Sequence, residues 1–155
     1  MRGLFVTGTD TDVGKTYVSS IILRELAEAG VQVGASKPAC SGAVPDGDSF
    51  RWPDLEALAS AAGISDIDQI CSQRLRAPLA PPVAARLEGR RVSFRVMQDE
   101  LLAWSTRADI VVVEGVGGLL CPLTEEHSVA DFAQWMGFPL IIVARLGLGT
   151  INHTL

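Results

Sequence analysis

The segment Leu4-Phe5-Val6-Thr7-Gly8-Thr9-Asp10-Thr11-Asp12-Val13-Gly14-Lys15-Thr16 joins an apolar strand to a run, Tyr17 to Ala29, whose Val18, Ile21, Ile22, Leu26 and Ala29 follow helical spacing. Strand, glycine-bounded loop, Lys-Thr and helix is the arrangement that turns backbone N–H groups toward phosphates. Gly14 permits close approach of the backbone to an anion. Lys15 supplies a point charge for the terminal phosphates, and Thr16 offers a hydroxyl to a Mg²⁺ ion. Five residues, not the usual four, separate Gly8 from Gly14, and Thr9 stands at the expected first glycine. The loop is therefore an acidic variant. Asp10 and Asp12 beside a triphosphate require a metal, a water or a substrate amine to balance them. A turn that only caps a helix is the plain alternative, and Gly-Lys-Thr between strand and helix weighs against it.

Outward from this loop the chain reads strand, helix, strand, helices, strand, helix, strand. Gly30 stops the first helix. Val31 to Ser36 reads as a short second strand ending at Lys37-Pro38. Cys40 to Pro53 is rich in Gly, Pro, Ser and Asp and reads as a functional loop. Asp54 to Ala62 reads as a helix with Pro53 in its first turn, Leu75 to Pro82 as a proline-rich connection, and Val83 to Leu87 as a short helix. Ser93 caps a helical stretch through Met97, Leu101 and Trp104. Asp109 to Glu114 and Pro139 to Ala144 have the continuous apolar character of strands buried on both faces, with a helix at Val129 to Met136 between them. The alternation predicts an α/β fold, a three-layer, doubly wound and mostly parallel sheet of the P-loop NTPase type. Ligands gather at the carboxyl ends of strands in such sheets. The ends at Gly8, Lys37, Glu114 and Gly147 all fall on that rim.

At 155 residues the chain is most simply one nucleotide-binding domain. A hydrophobic content of 48% indicates a folded core. The net charge of −5, with no run of Lys or Arg, argues against nucleic acid as a partner. No apolar segment is long enough to span a bilayer. Cys40, Cys71 and Cys121 lack metal spacing and suit free thiols in a reducing cytoplasm. His127 and His153 lack the spacing of zinc ligands.

Glu114 ends the strongest strand and precedes Gly115-Val116-Gly117-Gly118, the position of a Walker B acid able to hold Mg²⁺ directly or through water. Asp54 suits either a metal role or compensation of a helix dipole, with Asp48 a nearby competitor for the metal role. Lys37, at a strand end on the ligand rim, is read as facing the ligand, with a solvated surface lysine the alternative. Ser41 follows in the loop as a possible donor to an anion.

Together these residues resemble the dethiobiotin synthetase family. Phe5 through Thr16 is similar to its opening motif, Lys37-Pro38 with Ser41-Gly42 to its second, and Ala77-Pro78 through Pro81 with Ala84-Ala85 to its mid-chain proline segment. Val113-Glu114-Gly115-Val116-Gly117-Gly118-Leu119-Leu120 with Pro122-Leu123 is similar to the third, and Leu146-Gly147 with Gly149-Thr150-Ile151-Asn152-His153 to the fourth. Asp12 stands where the family more often has Glu, and Ala80-Pro81-Pro82 where it commonly has Ser-Pro-His.

The resemblance implies an ATP- and Mg²⁺-dependent ligase that carboxylates 7,8-diaminopelargonate with CO₂ (or bicarbonate) and closes a ureido ring. It implies nucleotide contacts at Asp12, Val13, Gly14, Lys15, Thr16 and Tyr17, and at Asp54, Glu114, Gly115, Gly117 and Gly118. The metal would be held by Thr16, Asp54 and Glu114. Catalytic contacts to carbamate or phosphate would come from Lys15, Lys37, Thr11 and Ser41. The substrate would also meet Gly149, Thr150, Ile151 and Asn152, across a homodimer interface. Family members run on beyond Leu155, so the sheet is expected to lack its C-terminal part and much of the adenine pocket. A related amidoligase or partition-type ATPase, a non-catalytic nucleotide sensor and an inactive fragment are the competing readings.

Overall fold

A computed structural model describes residues 1–154. Its centre is a four-stranded parallel sheet. The strands are β1 (Gly3–Gly8), β2 (Val33–Ser36), β7 (Ile110–Gly118) and β8 (Leu140–Val143), in the order β2-β7-β1-β8. Two two-stranded pairs lie outside it: β3 (Cys40–Ser41) runs parallel to β6 (Arg74–Leu75), and β4 (Val44–Asp46) antiparallel to β5 (Ser49–Arg51). The helices are α1 (Lys15–Glu28), α2 (Pro53–Ala62), α3 (Pro81–Leu87), α4 (Phe94–Leu102), α5 (Val129–Met136) and α6 (Thr150–Thr154).

The three layers follow from the two-residue period of the strands. Phe5, Val111 and Val113 face one core with Met97, Leu101, Trp104 and Phe132 from α4, the turn after it and α5. Val6 and Val112 face the other, with Leu23 of α1 and Leu55 and Leu58 of α2. Each fully buried Leu or Phe contributes about 1.5–3 kcal/mol, so both faces hold the central strands in place. The helix starts are built locally. Pro53 occupies the first turn of α2, the Ser93 hydroxyl accepts from the Val96 N–H of α4, and Ser128 with Asp131 forms a capping box on α5.

Three expectations are corrected. The stretch 40–53 is not simply a loop: it holds β3 and the β4–β5 hairpin, which reverses through Gly47 at φ 58°. β7 does not end at Glu114 but continues to Gly118, where a shift of register pairs Gly8 with Gly118. β8 is not buried on both faces. Among the described residues it pairs only with β1, and Leu140 and Ile142 are 46% and 50% exposed while Ile141 and Val143 pack on the α1–α2 side. An apolar run declares a strand but not how many layers cover it.

Candidate functional site

The phosphate loop is shaped by close packing as much as by glycine freedom. A Cβ on Gly8 would lie 2.7 Å from Val13 Cγ2 and 3.1 Å from the Asp10 carbonyl oxygen, so the chain folds tightly over that position. Asp12 adopts a left-handed conformation at φ 56°, and Gly14, which precedes α1, sits at φ 100°. No side chain caps the start of α1. Its first N–H groups are therefore open to an anion.

Lys15 is buried, and its ammonium donates to the Asp10 carbonyl oxygen at 2.7 Å. Burial lowers its pKa, and the Lys37 charge lowers it further, against smaller opposing effects of Glu114, Asp54 and Asp12. Lys37 is 3% exposed and Glu114 fully buried. Lys37 Nζ donates to Glu114 Oε1 and to Asp54 Oδ2, each at 2.5 Å. Burial alone would lower the pKa of Lys37. The carboxylates, Glu114 foremost, outweigh it and hold the pKa above the ordinary lysine value. At Asp54 burial works to raise the pKa, but the Lys37 ammonium, by its charge and its hydrogen bond, wins and lowers it. The Thr16 hydroxyl donates to Glu114 Oε1 at 2.9 Å. Lys15 and Lys37 are the two lysines of the 155-residue sequence, and both are spent here.

These groups border one cavity of about 710 Å³. Thr11, Asp12, Gly14, Lys15, Thr16 and Tyr17 line its floor and one wall. Lys37, Ser41 and Asp54 form another wall, and Gly115 and Gly117 of the β7 end close a third. Gly117 is at φ 61°, a conformation that side chains rarely adopt. Glu114 sits beneath, reaching the site through Lys37 and Thr16. Val13 packs on Gly8, and Gly118 lies against the Gly8 carbonyl, where an added Cβ would come within 3.3 Å. These two shape the loop without lining the cavity. Asp48 lies in the hairpin turn and is exposed, leaving Asp54 as the acid at the site. Gly149, Thr150, Ile151 and Asn152 do not line the cavity. Gly149 precedes α6, and Thr150, Ile151 and Asn152 begin it, with Ile151 73% exposed.

Several walls escaped the residue-by-residue reading. Trp52, held by its indole N–H to the Leu75 carbonyl oxygen at 3.3 Å, lines the cavity beside Asp54. Pro78, Leu79 and Ala80 border it next to Gly42, where an added Cβ would lie 3.5 Å from Pro78, and their proline-rich composition and the resemblance of the segment to the family's were the signals for them. Cys40 and Cys121 also line it. Burial pushes the Cys40 thiol up to about 12 despite the nearby Lys37, so it is protonated at neutral pH and contributes shape, not a nucleophile. His127 stacks on Phe94 with ring centroids 4.2 Å apart, away from this cavity.

Thr16, Asp54 and Glu114 present oxygen donors only, which is the chemistry of a hard divalent cation. Among the described residues no three His, Cys, Asp or Glu side chains group as a self-sufficient metal site. Two carboxylates and a hydroxyl, completed by ligand phosphates, are nonetheless the kind of set Mg²⁺ uses. Glu114 Oε2 is buried without a hydrogen-bond partner, an acceptor that such an ion would satisfy. The residues fit the ion.

An uncapped helix behind a glycine loop, two buried ammonium groups and an acid at the tip of a central strand define a P-loop nucleotide-binding α/β protein. A family model described as an AAA domain matches residues 2–155. The ATP-dependent dethiobiotin synthetase BioD of Anaeromyxobacter sp. (strain Fw109-5) is 48% identical over 99% of this chain and 68% of its own length. That of Anaeromyxobacter sp. (strain K) is 50% identical over the same shares, and that of Anoxybacillus flavithermus 39% identical over 99% and 69%. The chain belongs to the dethiobiotin synthetase family, a family of ATP-dependent ligases. Two solved structures share the fold. The signal recognition particle receptor FtsY from Elizabethkingia anophelis has a TM-score of 0.50 at 15% identity, over 99% of this chain and 45% of that one. The kinase domain of Escherichia coli tyrosine kinase ETK has a TM-score of 0.51 at 19% identity, over 99% and 59%.

Proposed function

We propose that the chain catalyses ATP- and Mg²⁺-dependent closure of a ureido ring on 7,8-diaminopelargonate, with CO₂ as the one-carbon donor, to give dethiobiotin. The observation that carries this reading is the convergence of Lys15, Lys37, Thr16 and Asp54 on one cavity edged by the phosphate loop, with Glu114 bonded to Lys37 and Thr16 from beneath. One amine of the substrate adds to CO₂, releasing a proton and forming a carbamate. A carbamate oxygen attacks the γ-phosphorus of ATP, and ADP leaves. The second amine attacks the resulting mixed anhydride at carbon, losing a proton and expelling phosphate.

Each step before ring closure brings anions together, so the protein's task is to place positive charge where negative charge collects. The open N–H groups of α1 and Gly14 receive the phosphates. Lys15, held at rest only by a neutral carbonyl, turns its ammonium to the terminal phosphates. Lys37 faces the carbamate and the transferring phosphoryl group, and Thr11 and Ser41 donate to the same oxygens. Thr16, Asp54 and Glu114 would hold Mg²⁺, which would neutralise phosphate charge when bound. The apolar wall of Trp52, Pro78 and Leu79 suits the alkyl chain of the substrate. Gly149 to Asn152 lie outside this cavity; the family resemblance gives them the substrate of a second copy of the chain, and we infer an active homodimer in the cytoplasm. The 155 residues act as one nucleotide-binding domain. Among the described residues no helix is long and apolar enough to cross a membrane.

The test is capture of labelled bicarbonate into an acid-stable product in the presence of ATP, Mg²⁺ and the diamine. Label in a ureido ring is the expected result. ATP hydrolysis without that product would point instead to a partition-type ATPase, and nucleotide binding without hydrolysis to a sensor.

A further inference from the structure

Lys37 stands where a cation is required. Its ammonium lies 2.5 Å from one oxygen of each of Asp54 and Glu114, and those two acids with Thr16 are the groups read above as holding the divalent ion. Glu114 is fully buried, and its remaining oxygen, Oε2, has no hydrogen-bond partner. An ion drawing on those same two oxygens would lie close to the ammonium, and beside the fully buried Glu114 the repulsion between the two cations favours displacement of one of them. The metal is fixed by its need for oxygen donors, whereas lysine has a flexible four-carbon stem.

We propose that Lys37 is the resting occupant of the divalent-cation position and that metal binding displaces its ammonium into the cavity, where it becomes available to the anionic substrate. The acids are thereby neutralised at every stage, first by the side chain and then by the ion. The charge needed to hold a carbamate is released only once metal has arrived. Lys15 needs no such exchange, since its partner is the neutral Asp10 carbonyl. The inference rests on the metal role given to Asp54 and Glu114 under the proposed function.

The two lysines of the sequence make the exchange observable. In the chain labelled with ¹⁵N-lysine, two side-chain ammonium signals are expected, assigned by Lys15→Arg. A non-hydrolysable ATP analogue alone should shift the Lys15 signal and leave Lys37 in place. Addition of Mg²⁺ should then shift Lys37 and accelerate its hydrogen exchange as it leaves the carboxylates. Metal occupancy is read in parallel by Mn²⁺ electron paramagnetic resonance. An unmoved Lys37 signal with metal bound overturns the exchange and leaves the metal reading standing, whereas no metal binding overturns both. Lys37→Met, if it folds, should bind Mn²⁺ about tenfold more tightly, within the ordinary range of coupling between linked sites. Unchanged or weaker Mn²⁺ affinity in a folded variant would also overturn the exchange.

Discussion

Lys15 opens α1 and Lys37 follows β2, both on the rim of the same cavity, yet the protein holds them in opposite ways. Lys15 leans on one backbone carbonyl of its own loop. Lys37 is clamped between a fully buried Glu114 and Asp54. A neutral partner is released at little cost, while a buried carboxylate left alone is a large liability. Lys15 is thus a ligand-facing charge with a minor structural role, and Lys37 a ligand-facing charge that also holds the sheet end together. Their pKa directions agree with this contrast: burial and repulsion lower that of Lys15, whereas the carboxylates raise that of Lys37.

Replacement of both residues separates the two roles. Lys37→Met should lower turnover by about 10³-fold, the upper range for loss of one preorganised charge-stabilising donor. It should also destabilise the fold by about 3–5 kcal/mol, the usual cost of leaving a buried charge without its partner, in denaturant titration. Lys15→Met should lower turnover by about 10²-fold or more while shifting stability by no more than about 1 kcal/mol, the net worth of one hydrogen bond. Equal destabilisation by the two substitutions would erase the distinction. Gly8→Ala should cost about 1–3 kcal/mol through overpacking against Val13, and nucleotide affinity should fall with it because the loop must shift.

A pH series sharpens the contrast on the acid side. The lowered pKa of Asp54 means that its pairing with Lys37 contributes stability above the ordinary carboxylate value of 3.8. That contribution fades as pH falls through the still lower folded value. Asp54→Asn should therefore flatten the acid limb of a thermal-stability profile, and Lys15→Met should flatten it less, because Lys15 lowers the Asp54 pKa less than Lys37 does. The smallest effect is expected far from the rim. Arg86 pairs with Glu125, both side chains being more than two-thirds exposed, and Arg86→Ala should change stability by less than about 0.5 kcal/mol.

The contrast between the lysines was only half legible in the sequence. The phosphate loop declares itself because its strand, glycines, Lys-Thr and helix are contiguous. The rim declares itself because parallel sheets collect polar strand ends on one side. The clamp on Lys37 links residues 17 and 77 positions apart, and no local periodicity reports such a pairing. Its place at a strand end suggested a ligand contact but not a structural duty. For the same reason spacing alone did not separate Asp54 from Asp48; the family resemblance favoured Asp54, and the hairpin carries Asp48 into an exposed turn. The β4–β5 pair was hidden by its brevity and by Pro45, and the exposed face of β8 by an apolar composition that fits a covered strand equally well. Trp52 and Cys40 line the cavity only because the folded chain brings 40–54 over the phosphate loop.

A crystal structure of the chain with Mg²⁺, a non-hydrolysable ATP analogue and the diamine would bear most directly on whether one cavity joins the two lysines to a shared anion. The account predicts the γ-phosphate within hydrogen-bonding reach, about 3.2 Å or less, of both Lys15 Nζ and Lys37 Nζ, with the ion on Asp54 and Glu114. A γ-phosphate held by Lys15 alone, with Lys37 still clamped between the two acids, would contradict it.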